Sequence, residues 1–212
     1  MNRGKFIALE GGEGAGKSTQ ARLLAEALER HGIDAMRTRE PGGTVGAEAI
    51  RTLLLHPPHE GWNPRAEALL FAAARADHVE KLIRPALAEG KWVICDRFID
   101  STRAYQGGGG GLSDEDILAL HRLGSEDLFP DLTVLIEVLP ETAQERLAAR
   151  DTDGSDAIGG RDADYHARVS AAFARFAEAE PQRFVRIDGE GDPDEIHARI
   201  AAAVRPLLED AA

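Results

Sequence analysis

Two groups of residues in this chain have the types and spacing to handle phosphate. The first is Gly11-Gly12-Glu13-Gly14-Ala15-Gly16-Lys17-Ser18-Thr19, which fits G-x-x-x-x-G-K-[ST] from Gly11 to Ser18. Phosphate oxygens must come close to backbone N–H groups, and glycine removes the Cβ that would block them. A helix opening at Lys17 would turn its positive end toward the same oxygens. Lys17 brings a mobile positive charge to the β- and γ-phosphates, and the Ser18 hydroxyl is a hard oxygen suited to Mg2+. The second group is Asp96-Arg97, directly after the apolar run Trp92–Cys95. A carboxylate closing a hydrophobic strand can hold Mg2+ directly or through water, and an arginine fork beside it suits a phosphate. Together they imply a protein that binds a nucleoside triphosphate with Mg2+.

These residues need a scaffold. Phe6–Leu9 is short and apolar, as a buried strand is, and the loop after it runs into a helical pattern with Leu23, Leu24, Ala27 and Leu28 on one face, stopping at Gly32. Ile33–Thr38 reads as a second strand, ending in the polar turn Arg39-Glu-Pro-Gly-Gly-Thr44. A helix with Ile50, Leu53 and Leu54 ends before Pro57. Asn63-Pro64 opens a long helix to about Glu89, kinked by Pro85, with Phe71 and Arg75 on one face four residues apart. Trp92–Cys95, Leu132–Val138 and Phe184–Ile187 are three further strands. Between and after them come a polar, aromatic stretch from Ser101 to Gln106, the Gly107–Gly111 tract, and helices opening near Ser113, Pro140, Ala163 and Pro193. This alternation predicts an α/β fold: a five-stranded parallel sheet, doubly wound, in a single domain over residues 1–212. In such sheets ligands bind beyond the carboxyl ends of the strands.

Composition narrows the class. The chain has 212 residues, 43% of them hydrophobic but only 5% aromatic, so its core is aliphatic. Lys+Arg 25 against Asp+Glu 37 gives a net charge of −12, which argues against a general nucleic-acid surface but leaves room for a phosphate site with a few local cations. A single cysteine, Cys95, permits no disulfide within the chain, and its apolar surroundings suit a structural role. No secretory leader pattern and no run of membrane-spanning length are present, so a soluble cytoplasmic protein is expected. The seven histidines show no metal-ligand spacing, and no zinc site is expected.

Four stretches beyond the phosphate loop carry a resemblance. Arg39 to Thr44, Leu70-Phe71 through Arg75 to His78, Asp96-Arg97-Phe98 through Ser101-Thr102 and Tyr105-Gln106, and Tyr165-His166-Ala-Arg168-Val169 all resemble the bacterial thymidylate kinases, nucleoside monophosphate kinases with a phosphate loop. The resemblance covers essentially the whole chain. It implies a flexible lid inserted at about 149–162, a homodimer, and transfer of phosphate from Mg-ATP to dTMP on the way to dTTP. It also implies roles. Phe71 stacks on thymine, Arg75 bonds the base, and Thr102, with Gln106, meets its edge. Tyr105 lies under the deoxyribose, Arg97 holds the dTMP phosphate with Arg39 or Arg51 as helper, and Ser101 is a further substrate-binding residue. Glu13 faces the sugar and acceptor phosphate.

The sequence departs from that family in three places. The phosphate loop has no arginine, Ala157 stands where the lid arginine is expected, and Gly110 replaces an arginine in the glycine tract. Arg150 and Arg161, flanking the lid, are the expected substitutes, and the tract is expected to be more mobile than in relatives. Other readings stay open at this level. Tyr105 could simply pack, and Glu137 is either a second metal carboxylate or an edge charge. The acceptor could be another nucleoside monophosphate, or the chain could be an NTPase with no small acceptor. A guanine switch would need Asn-Lys-x-Asp, which does not occur.

Overall fold

The computed structural model describes residues 3–57, 61–150 and 158–209, with the side chain of Arg150 outside the description. Five strands, β1 (Phe6–Glu10), β2 (Ala35–Arg39), β3 (Trp92–Asp96), β4 (Leu132–Glu137) and β5 (Phe184–Asp188), form one sheet in the order β2-β3-β1-β4-β5. All pairings are parallel. The three inner strands are apolar almost throughout because helices cover both faces of the sheet. The edge strands β2 and β5 are less buried and carry arginines.

On one face, α1 (Lys17–Arg30) and α9 (Pro193–Glu209) lay Leu24, Leu28, Ile196, Ile200 and Val204 against Ile7, Leu9, Ile94 and Ile136. On the other, Phe6, Ala8, Val93 and Cys95 meet Val79, Ile83, Leu87 and Phe98, together with Ile117 of α6 (Asp114–Ser125). The long helix expected from Pro64 is α3 (Pro64–His78) continued through a π-helical turn, Val79–Ile83, into α4 (Arg84–Ala88). Pro85 has no N–H to give to the turn before it, and the wider π spacing there, with Arg84 N–H on the Val79 carbonyl, takes up the mismatch. The helices α2 (Val45–Leu55), α7 (Pro140–Arg150) and α8 (Ala163–Ala179) complete the framework.

The stretch from Ser101 through Gly109 is helical. A short α5 (Ile99–Thr102) runs into π-helical turns over Arg103–Gly109. The glycines here serve packing: a Cβ on Gly108 would lie 2.5 Å from the Ala172 Cβ, and one on Gly109 would lie 2.4 Å from the Tyr165 ring. Gly108 and Gly109 let α8 approach closely. The expected lid from about 149 to 162 overlaps residues 151–157, which lie outside the described residues, as do Asp156 and Ala157 within it.

A buried charge network ties this segment down. Asp100 is fully buried. It accepts from Arg183 Nη1 and Nη2 at 2.6 and 2.9 Å and from Arg103 Nη1 at 3.0 Å. Arg103 also forks onto Asp114 at 2.8 and 2.9 Å and reaches Glu180 at 2.8 Å, joining α5, α6 and the end of α8. Removing one member of such a network strands the others without solvent. Asp100→Ala is therefore expected to lower unfolding free energy by about 3–5 kcal/mol, read from urea denaturation. A loss under about 1 kcal/mol, the range of an exposed ion pair, would show that the network is solvated in solution.

Candidate active site

The phosphate loop leaves β1 at the centre of the sheet. Gly14 and Gly16 take positive φ values of 72 and 87°, which an L side chain resists, and the turn delivers Lys17 to the first residue of α1. Lys17 Nζ donates to the carbonyls of Gly11 and Gly12 at 3.2 and 2.7 Å. Burial, with the nearby Arg97 charge, pulls its ammonium down to about 8. Ser18 Oγ donates to Asp96 Oδ2 at 2.5 Å, so the two expected metal oxygens lie together beside the loop.

Register explains this meeting. Leu9 pairs with Asp96, so the ends of β1 and β3 are level, and Arg97 N–H donates to the Leu9 carbonyl at 2.9 Å. Arg97 has a positive φ of 70°. Its guanidinium reaches Gly11 O and Ser101 Oγ at 3.1 Å each and Glu13 Oε1 at 2.5 Å, and lies 4.9 Å from the Tyr105 ring centroid. Below it sits Glu10, which accepts from Phe98 N at 2.8 Å, Ser101 N at 3.1 Å and Ser101 Oγ at 2.5 Å. Burial, reinforced by the Asp100 charge, raises its carboxyl from 4.5 to about 7. Sequence reasoning missed Glu10; its signal was a carboxylate inside an otherwise apolar strand.

A cleft of 480 Å³ opens from this point, walled by α2, α3, the α5 segment and α7. Phe71 and Arg75 of α3 both line it, as the helical spacing predicted, along with Thr102, Tyr105, Gln106 and Ser101. Arg75 is 2% exposed and donates to Glu40 at 2.7 Å and to Thr102 Oγ1 at 2.7 Å. Gln106 Nε2 donates to Glu67 Oε1 at 2.7 Å. Arg39 and Arg51 stand at the rim, held by Glu48 and by the Pro41 carbonyl. Arg161 is not part of this wall; it pairs with Glu67 and stacks 4.6 Å from the Tyr165 centroid. Glu137 forks onto Arg186 at 2.8 and 3.0 Å, the edge-charge alternative.

Arg146 of α7 is a cleft residue that sequence reasoning did not single out. Its guanidinium rests on the carbonyls of Gly189 and Gly191, and a Cβ on Gly16 would lie 4.0 Å from its Nη1. Nothing in the local pattern marks it, because the partners come from the loop after β5. Glu40 and Glu67 were missed for a similar reason: acids that brace arginines look like surface charge in one dimension.

The family model for thymidylate kinase matches residues 9–200. The chain belongs to the thymidylate kinase family. It is 53% identical to the thymidylate kinase of Rhizorhabdus wittichii over 97% of this chain and 99% of that one, and 51% identical to that of a Synechococcus strain over 96% of each. The crystal structure of thymidylate kinase from Ehrlichia chaffeensis superposes with a TM-score of 0.77 at 34% identity, covering 95% of this chain and 99% of that one. The five-stranded P-loop kinase fold is thus shared with the family as well as the sequence.

Glu10 gives this thymidylate kinase family member a pH signature. The unfolded chain releases the Glu10 proton near 4.5 and the folded chain near 7, so the stabilisation from this group is present below pH 4.5 and lost as pH rises to about 7. Glu10→Gln should flatten that fall, by an amount on the order of 2–3 kcal/mol, in urea titrations stepped across the interval. Identical slopes in wild type and variant would assign the titration elsewhere.

Proposed function

We propose that the protein transfers the γ-phosphoryl group of ATP to the phosphate of dTMP, giving ADP and dTDP. The observation that carries this reading is the single cleft joining the phosphate loop, through Arg97, to the Phe71–Arg75–Thr102 wall. Phosphoryl transfer asks the protein for two phosphates held in line, neutralised charge and excluded water, rather than covalent chemistry.

On the donor side, the loop N–H groups from Gly11 to Thr19 and Lys17 Nζ hold the β- and γ-phosphates. The loop carbonyls that Lys17 now bonds compete poorly with phosphate oxygens, and a phosphate brings its charge back to full occupancy near neutral pH. Arg146 offers a flat cation beside the loop, suited to a nucleobase face. Ser18 and Asp96 would hold Mg2+; two adjacent hard oxygens fit an ion that takes its other ligands from water and phosphate. When bound, Mg2+ neutralises phosphate charge that the protein would otherwise meet alone.

On the acceptor side, Phe71 stacks on thymine, and Arg75, Thr102 and Gln106 bond its edge. Tyr105 lies beneath the sugar, and Arg97 holds the acceptor phosphate with Ser101, Arg39 and Arg51 in support. Glu13, bonded to Arg97, keeps the guanidinium turned toward the loop and faces the sugar. Arg150 and Arg161 are the lid-flanking arginines available to stabilise charge on the transferring group, and Arg161 must leave Glu67 to do so.

The protein acts in the cytoplasm as a homodimer in nucleotide biosynthesis. Exposed Leu53, Leu69 and Leu123, on α2, α3 and α6, supply apolar surface for such a contact. Among the described residues no helix is long and apolar enough to cross a membrane.

ADP release from Mg-ATP is expected with dTMP, weakly with dUMP, and negligibly with UMP, AMP, CMP, GMP or no acceptor. Equal release without an acceptor would make the protein an NTPase. Lys17→Ala should reduce kcat at least about a hundredfold while the thermal unfolding midpoint stays within a few degrees. Turnover near wild type in that variant would remove Lys17 from the reaction.

A further inference from the structure

We infer that Glu40 and His78 form a positioning relay that sets the orientation of Arg75 and, through it, which base edge the acceptor site admits. The inference rests on the proposed reading of Arg75 as the base-binding arginine.

A guanidinium has five N–H groups in one rigid plane. In Arg75, Nε–H donates to Glu40 Oε2 at 2.7 Å, and Nη2 donates to Thr102 Oγ1 at 2.7 Å and to the Phe98 carbonyl at 3.3 Å. Nη1 has no protein partner among the described residues, and the side chain lines the cleft. Because the fork is planar, holding Nε and Nη2 determines where Nη1 presents its two N–H groups. A ring carbonyl can accept there. An exocyclic amino group at the same place would set donor against donor, an arrangement that rejects the wrong ligand strongly in a buried site.

Glu40 is itself held. Its second oxygen, Oε1, lies 3.0 Å from His78 Nδ1, and His78 Nε2 lies 2.7 Å from Thr38 Oγ1. With a carboxylate at Nδ1, that nitrogen carries the proton and Nε2 accepts from the threonine. Burial alone would raise the Glu40 carboxyl; Arg75 and His78 outweigh it and hold it below its ordinary value. Glu40, Arg75, His78 and Thr102 are 6, 2, 0 and 3% exposed, so the chain is almost shielded from solvent where it meets the cleft wall, and each bond is strong and each loss expensive. Gly43 seals the far end: a Cβ there would lie 2.6 Å from both His78 Nε2 and Thr38 Oγ1. The turn after β2 therefore acts on the base site from behind, through Arg75.

The test is steady-state kinetics with dTMP and dCMP as acceptors, comparing wild type with Glu40→Gln, His78→Leu and His78→Asn. Glu40→Gln should raise KM for dTMP at least about tenfold, leave kcat within about threefold and KM for ATP unchanged, and cut the dTMP-over-dCMP preference at least about tenfold. His78→Leu should do the same in smaller measure, and His78→Asn, whose amide nitrogen can replace Nδ1, should recover most of the wild-type KM. A merely structural role predicts loss of active fraction with both KM values intact. That result, or unchanged KM and preference in folded variants, overturns the relay. Should Glu40→Gln fail to fold, the contrast between His78→Leu and His78→Asn decides. Wild type preferring another monophosphate would refute the base assignment itself, and the relay would then be judged on that acceptor's KM.

Discussion

Arg97 is clamped between Gly11 O, Ser101 Oγ and Glu13, on a backbone held at positive φ, with Glu10 buried directly beneath its turn. Every other part of the site is placed relative to this knot. Parallel pairing makes β1 and β3 end together, so the phosphate loop and the Asp96-Arg97 pair emerge side by side from the middle of the sheet. The buried Glu10 carboxylate then receives two backbone N–H groups and a hydroxyl from the segment that follows, folding that segment back toward the loop. The phosphate loop and the Arg97 guanidinium are thereby held at one point. Preorganised charge of this kind is where phosphoryl transfer draws its rate.

Around the knot, four arginines are each supported by an acid from a different element, while Arg51 and Arg146 rest on backbone carbonyls. Arg97 has Glu13, Arg75 has Glu40, Arg39 has Glu48 and Arg161 has Glu67. This resolves the tension between a net charge of −12 and a ligand set that is itself anionic. The acids fix the direction of these arginines and balance their charge. Below, Asp100 with Arg103 and Arg183 performs the same service for the fold, anchoring the α5 segment so that Ser101, Thr102 and Tyr105 face the cleft. The buried pairs contribute less to net stability than to geometry, because removing their charges from water offsets much of their attraction.

Much of this was legible in one dimension. The strand–loop–helix at Gly11–Thr19, the strand ending in Asp96 and the alternation of apolar runs with helical periods determined the fold class and the phosphate chemistry, because each depends on local spacing and on backbone rules that hold in any context. The pairing of Phe71 with Arg75 was equally readable, since helical geometry alone puts positions four apart on one face. What only the tertiary structure decided were the contacts between distant segments: Glu10 under Arg97, Glu40 and His78 behind Arg75, Arg161 on Glu67, and Arg146 beside the phosphate loop. The glycine tract belongs to the same group, because its need for glycine comes from Tyr165 and Ala172 of α8, some sixty residues on. Periodicity and propensity describe a segment and its own turns; which charge neutralises which, across an interior that excludes water, depends on separations that exist only once the chain has closed.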